Sequence, residues 1–96
     1  MHARVTSISG SPTDVDAGIA SFRESVVPFA REDGKGAILL VDRQTGKAIA
    51  ITLWENEQAL NASDERGNAL RADAAQEMGA AQPPAVERYE VAVFEI

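Results

Sequence analysis

Ninety-six residues, 45% hydrophobic and 25% charged, have the size and composition of one globular domain. Nine basic against fifteen acidic residues leave a net charge of −6, so there is no basic stripe for nucleic acid or an anionic membrane. With no cysteine, disulfides, thiolate metal sites and thiol catalysis are excluded.

Residues 3–9, ARVTSIS, carry β-branched side chains and end in the turn cluster Gly10-Ser11-Pro12, the pattern of a first strand. A first helix follows, with Ser11 or Thr13 as expected N-cap and Asp14 and Asp16 in the first turn, where they suit the helix dipole. Val15, Ile19, Phe22, Val26 and Phe29 recur three and four residues apart and form one apolar stripe. Pro28 cannot donate to the helical ladder. A kink is expected there, or a helix that stops near Val27 and restarts as a short turn before Asp33-Gly34-Lys35-Gly36.

AILLVD and AIAITLW are two strand-like runs around RQTGK, where Gly46 can take the left-handed position of a hairpin loop. Asn56 is the expected N-cap of a second helix running to about Gln76 or Met78, with Leu60, Leu70 and Ala74 facing inward and Gly67 a weak point. GAAQPP breaks the chain, and VERYEVAVFEI reads as a last strand to the terminus. MHARVTSISG lacks the basic and apolar regions of a signal peptide, and AILLV and AIAI are far shorter than a bilayer span. A cytoplasmic location is expected, and the acceptor pattern Asn61-Ala62-Ser63 is read as chance.

The order β-α-β-β-α-β defines an α+β fold of the ferredoxin-like kind, a single domain over residues 1–96 with a four-stranded antiparallel sheet. Both helices then cover one sheet face, and the other should alternate to polar residues. It does not. Ile38 and Leu40 oppose Ala37, Leu39 and Val41; Ile49, Ile51 and Leu53 oppose Ala48, Ala50, Thr52 and Trp54; Tyr89, Val91 and Val93 oppose Ala92, Phe94 and Ile96. Two apolar faces and one set of helices predict a homodimer that joins sheet to sheet.

The run GAILLVDRQTGKAIAITLWENEQALNAS resembles the antibiotic biosynthesis monooxygenase-like proteins of the dimeric α+β barrel superfamily, in which a hairpin strand ends in Trp before a polar residue and a helix N-cap. VVPFAREDGKGAILL resembles the family's helix end and turn into the second strand, and VERYEVAVFEI its closing strand. The resemblance implies a dimeric α+β barrel. Its members include cofactor-independent oxygenases of aromatic polyketides, heme-degrading enzymes and proteins of unknown function. Heme-degrading members use a histidine on the second helix and an asparagine on the first strand. Here the single histidine is His2, HARVTSIS holds no asparagine, and the second helix offers Asp64 and Asn68, neither a usual heme ligand. Heme degradation is disfavoured, and neither metal nor organic cofactor is expected. Many relatives carry an aromatic residue between the two glycines of the turn; here Lys35 stands there, one wall fewer for a flat ligand.

The candidate ligand residues are Trp54, Arg4, Thr6, Phe22 and Tyr89. By the resemblance Trp54 stacks on an aromatic ligand; the plainer reading, preferred here, packs it under the second helix with its N–H bonded to a carbonyl. Arg4 shares a strand face with Thr6. It either binds an anionic or enolate oxygen or, the preferred reading, pairs with Glu90 or Glu95 across the sheet. Tyr89 either donates to a substrate oxygen or anchors the dimer contact, the commoner role. His2 beside a terminus has no fixed acid or nucleophile, so no catalytic residue is assigned. The acidic pairs Asp14/Asp16 and Asp64/Glu65 read as solvated helix faces, and Gly34-Lys35-Gly36 precedes a strand and so is no phosphate cradle.

Two functions follow. One is a monooxygenase without cofactor that positions a small aromatic molecule and stabilises its anion. The alternative is a non-catalytic dimeric binding or structural domain that has lost the family site.

Overall fold

The computed structural model describes residues 1–80 and 82–96. Strand β1 spans His2–Ser9 and leads through a 3-10 turn at Pro12–Asp14 into α1, Val15–Ser21. A π-helical stretch, Phe22–Val26, joins α1 to α2, Val27–Asp33. Then come β2 (Gly36–Val41), β3 (Lys47–Trp54), α3 (Glu57–Ala62), α4 (Asp64–Glu77) and β4 (Ala85–Glu90). The sheet order is β2-β3-β1-β4 with every neighbouring pair antiparallel, the expected ferredoxin-like arrangement.

Local chemistry accounts for several of these boundaries. Gly46 takes φ +81 in the β2–β3 loop, and the Asp42 carboxylate accepts from the N–H groups of Gln44 (2.9 Å) and Thr45 (3.3 Å). The Asn56 side chain accepts from Ala59 N–H at 2.8 Å and starts α3. Neither Ser11 nor Thr13 caps α1 as expected; their hydroxyls bond each other at 2.9 Å, and the Ser11 carbonyl accepts from Asp14 N–H. Around Pro28 the helix widens rather than stops: Val27 N–H reaches back to the Phe22 carbonyl, one residue beyond the α-helical partner. The wider turn carries the helix into Pro28, which has no N–H to give.

Two element boundaries also differ from those expected. The second helix is broken at Ser63 into α3 and α4. The last strand ends at Glu90, because Glu90 already pairs with His2 at the start of β1. Val91 N–H bonds the Met1 carbonyl at 2.8 Å, and residues 92–96 run past the sheet with Val93, Phe94 and Ile96 exposed.

The helix-facing side of the sheet holds the core in two separate clusters. Ile8, Ala48 and Met78 form one, with Leu39, Val41 and Ala74 against them. Phe29, Trp54 and Leu60 form the other, with Ala59 and Leu70. Trp54 is fully buried, its ring centroid 5.3 Å from that of Phe29, and its Nε1–H donates to the Thr52 hydroxyl at 3.0 Å rather than to a carbonyl. Replacing it by alanine should cost ~3–5 kcal/mol, the usual cost of a large aromatic cavity, and replacement by phenylalanine clearly less. Urea unfolding of the two variants measures both, and equal losses would show that the indole's packing volume is not what matters.

Candidate functional site

Between the two core clusters the interior is hollow. A cavity of about 50 Å³ lies between sheet and helices, floored by Arg4, Thr6, Ala50 and Thr52 and walled by Phe22, Phe29, Leu70 and Arg71. Its floor follows from strand register. Thr6 lies between Ala50 and Val86, and Arg4 between Thr52 and Arg88, so the residues at the middle of the helix-facing side are small or polar. Large residues at Ala48 and Ala50 would fill the space.

Arg4 is the unusual member, with only 2% of its surface exposed. Its Nη2 donates to the Leu60 carbonyl at 2.9 Å, to the Ser63 hydroxyl at 3.0 Å and to the Asp64 carboxylate. The guanidinium lies 5.7 Å from the Trp54 ring centroid. The partner on which the charge depends is therefore Asp64 of α4; the Glu90 and Glu95 pairing expected from sequence is replaced. Strand β4 presents Arg88, not a glutamate, opposite Arg4. Arg88 itself donates to Asp64 at 2.5 Å and to Asn61 at 2.5 Å. One carboxylate thus serves two arginines.

Arg71 brings a third cation to the same place. A Cβ added at Gly67 would lie 3.1 Å from Nη1 of Arg4 and 3.1 Å from Nη1 of Arg71, so the glycine makes room for both guanidinium ends. Burial lowers the Arg4 and Arg71 pKa values; Asp64 partly offsets this for both, and for Arg71 the charge of Arg4 adds to the lowering. Burial pulls the Asp64 carboxyl upward, but the hydrogen bonds from Arg88 and Arg4 outweigh it and hold its pKa below the ordinary 3.8. Among the described residues, Arg4 Nε and His2 Nδ1 are buried nitrogens with no hydrogen-bond partner.

Of the five residues singled out from sequence, Arg4, Thr6 and Phe22 come together around the cavity. Trp54 packs against Arg4 and does not line the cavity. Tyr89 is on the opposite sheet face, 49% exposed, its hydroxyl donating to Glu87 at 2.6 Å, because it pairs with Ala3 rather than with Arg4. Sequence reasoning passed over Arg71 and took Asp64 for a solvated helix face. The available signal was helical spacing, since Asp64, Gly67, Arg71 and Ala74 recur every three or four residues and share one face of α4, with Met78 next in the series as its C-cap. Among the described residues, no three His, Asp or Glu side chains stand close enough to hold a metal ion.

No protein-family model matches the chain. It is 40% identical over 96 residues to the uncharacterized protein Rv2557 of Mycobacterium tuberculosis, an alignment that takes in 98% of this chain and 42% of that protein. The chain thus spans less than half the length of that relative. In fold it resembles a monooxygenase from the gene ActVA-Orf6 of Streptomyces coelicolor, solved with the ligand nanaomycin D. The TM-score is 0.74 at 18% identity, over 99% of this chain and 92% of the other. It also resembles the NE2512 protein of unknown function from Nitrosomonas europaea (TM-score 0.71, 20% identity, 99% and 92% covered). A third likeness is to a Bordetella bronchiseptica protein provisionally named antibiotic biosynthesis monooxygenase (TM-score 0.64, 20% identity, 96% and 97% covered). The resemblance read from the sequence holds at the level of the fold: the chain has the α+β architecture of antibiotic biosynthesis monooxygenase-like structures.

The geometry gives a pH prediction. Because Asp64 is lowered in the folded chain, its contribution to stability is complete above 3.8, its ordinary value, and is lost as pH falls through the folded value. Asp64→Asn leaves Arg4 buried without its counter-charge and should cost about 3 kcal/mol at pH 7. Urea midpoints of wild type and variant should converge as pH falls below that window. A constant gap across the acid range would show that the carboxylate charge is not the stabilising element.

Proposed function

We propose that this chain is an antibiotic biosynthesis monooxygenase-like protein that acts as a homodimer and binds a small planar aromatic molecule in the cavity between sheet and helices. The observation that carries the reading is a core interrupted at its centre by a cavity with a buried arginine. An apolar hollow with a few convergent polar groups is the common form of a small-molecule site.

The cavity is far smaller than the ~300–1,000 Å³ typical of ligand pockets. Phe22 and Leu39, however, also line an outer groove of about 260 Å³ together with Ile19, Val27 and Val41. Phe22 begins the π-helical stretch, and its rotation would join cavity to groove. The reaction proposed for this site is cofactor-independent oxygenation. The lining carries arginines but no histidine, lysine, tyrosine or carboxylate, so the chain would contribute positive charge to a substrate anion rather than a general base. The same lack of a base favours a second reading, a binding domain without turnover.

The dimer part rests on the open sheet face. Ile38, Ile51 and Val5 lie in one row across it and Leu40 and Ile49 in the next, with Leu53 beyond, and Leu40 is 50% exposed. Wild type should sediment at twice its 10.2 kDa mass, and Leu40→Asp should sediment as monomer because the dimer would bury an unpaired charge. A wild-type monomer at micromolar concentration would end the dimer reading. For the site, hydroxynaphthoquinones should quench Trp54 saturably, and oxygen uptake with a reduced naphthoquinol, measured above the uncatalysed rate, separates oxygenase from binding domain. No saturable binding of either form would remove both.

A further inference from the structure

The charges around the cavity do not balance. Arg4 and Arg88 share the Asp64 carboxylate, Arg88 holding one of its oxygens from the outside, and Arg71 stands beside them as a third cation. Among the described residues Arg71 has no carboxylate within ion-pair distance; its hydrogen bond goes to the neutral Asn68 side chain. Arg4 has Nη2 satisfied and Nε buried without a partner. Two guanidinium groups facing one another across Gly67 in an apolar enclosure repel, and water cannot screen them well there. A cluster of this kind is stabilised when an anion enters between them and accepts the donors left over.

Resting on the reading that the cavity is a binding site, we infer that its ligand is a planar aromatic oxyanion whose charged oxygen sits between Arg4 Nε and the Arg71 guanidinium. The floor on either side suits such a ligand. Ala50 and Gly67 bring little bulk to it, and Phe22, Phe29 and Leu70 supply apolar walls for the ring. Arg4 is already fixed by Leu60, Ser63 and Asp64, so little entropy is lost in aligning it. Arg71 is half-buried on α4 and held only by the neutral Asn68 side chain, which makes it the selectivity residue of the pair.

The oxyanion can be a carboxylate or the enolate of an acidic hydroxyquinone, and matched probes separate the two. The carboxylate arm compares 2-naphthoate with neutral 2-naphthamide. The enolate arm compares 2-hydroxy-1,4-naphthoquinone, ionised at neutral pH, with its 2-methoxy ether. Affinities come from calorimetric titration of the intact protein. At least one anion should bind about tenfold or more tightly than its neutral partner, the scale of a charge-assisted hydrogen bond. Arg71→Gln should abolish that preference while changing the neutral probe less than about twofold, and Arg71→Lys should keep much of it. Thermal melts check that both variants fold; Arg4 is left intact because its loss would unseat α4. Preference in one arm only identifies the anion and supports the inference. Equal binding of anion and neutral partner in both arms, or a preference that survives Arg71→Gln, overturns it while leaving the cavity reading in place. No binding of any probe to wild type overturns both.

Discussion

The interior of this domain depends on a single buried cation. Arg4 stands in the third place of a central strand, facing the helices, where a hydrocarbon side chain would ordinarily be. A guanidinium there needs partners for its donors, and the chain supplies those of Nη2 from the junction of two helices, leaving Nε unmet. The Leu60 carbonyl belongs to the last turn of α3, where a cation is favoured, and Asp64 opens α4. Ser63, between them, accepts from Arg4 and donates to Leu60 at 2.6 Å. One continuous helix would keep the Leu60 carbonyl in its own ladder. The break at Ser63 frees acceptors for the arginine, and the arginine in turn ties the end of α3 to the start of α4.

This dependence explains what the sequence reveals and what it conceals. Strand order, the hairpin at Gly46, the cap at Asn56 and the apolar stripe Val15–Phe29 are written in local patterns, and each appears where those patterns put it. The helix break is different. Nothing in EQALNASDERGNAL forbids one long helix, and the cause of the break lies some sixty residues earlier at Arg4. For the same reason Asp64 passes for a surface acid: its partner is set by tertiary packing, not by spacing along α4. Arg71 gives no local signal either, because a lysine or arginine on a helix usually lies on the solvated side. Only the glycine four residues before it hints that another group needs the room.

Strand β3 shows how the domain divides its volume. Its helix-facing residues Ala48, Ala50 and Thr52 are small, whereas Ile49, Ile51 and Leu53 on the open face are large. A self-sufficient domain would do the reverse, placing bulk beneath its helices and polar groups toward water. Small residues inside leave the hollow beside Arg4, and the π-helical stretch ahead of Pro28 brings Phe22 and Val26 to its rim. Large residues outside create an apolar face that the chain's own helices do not reach. Both deviations lie on alternate residues of one strand. A change at either set shifts the balance between stability gained by filling the interior and the space that interior keeps. Filling the hollow at Ala50 would add burial the chain now forgoes, which is the expected direction for a site whose stability has been traded for room.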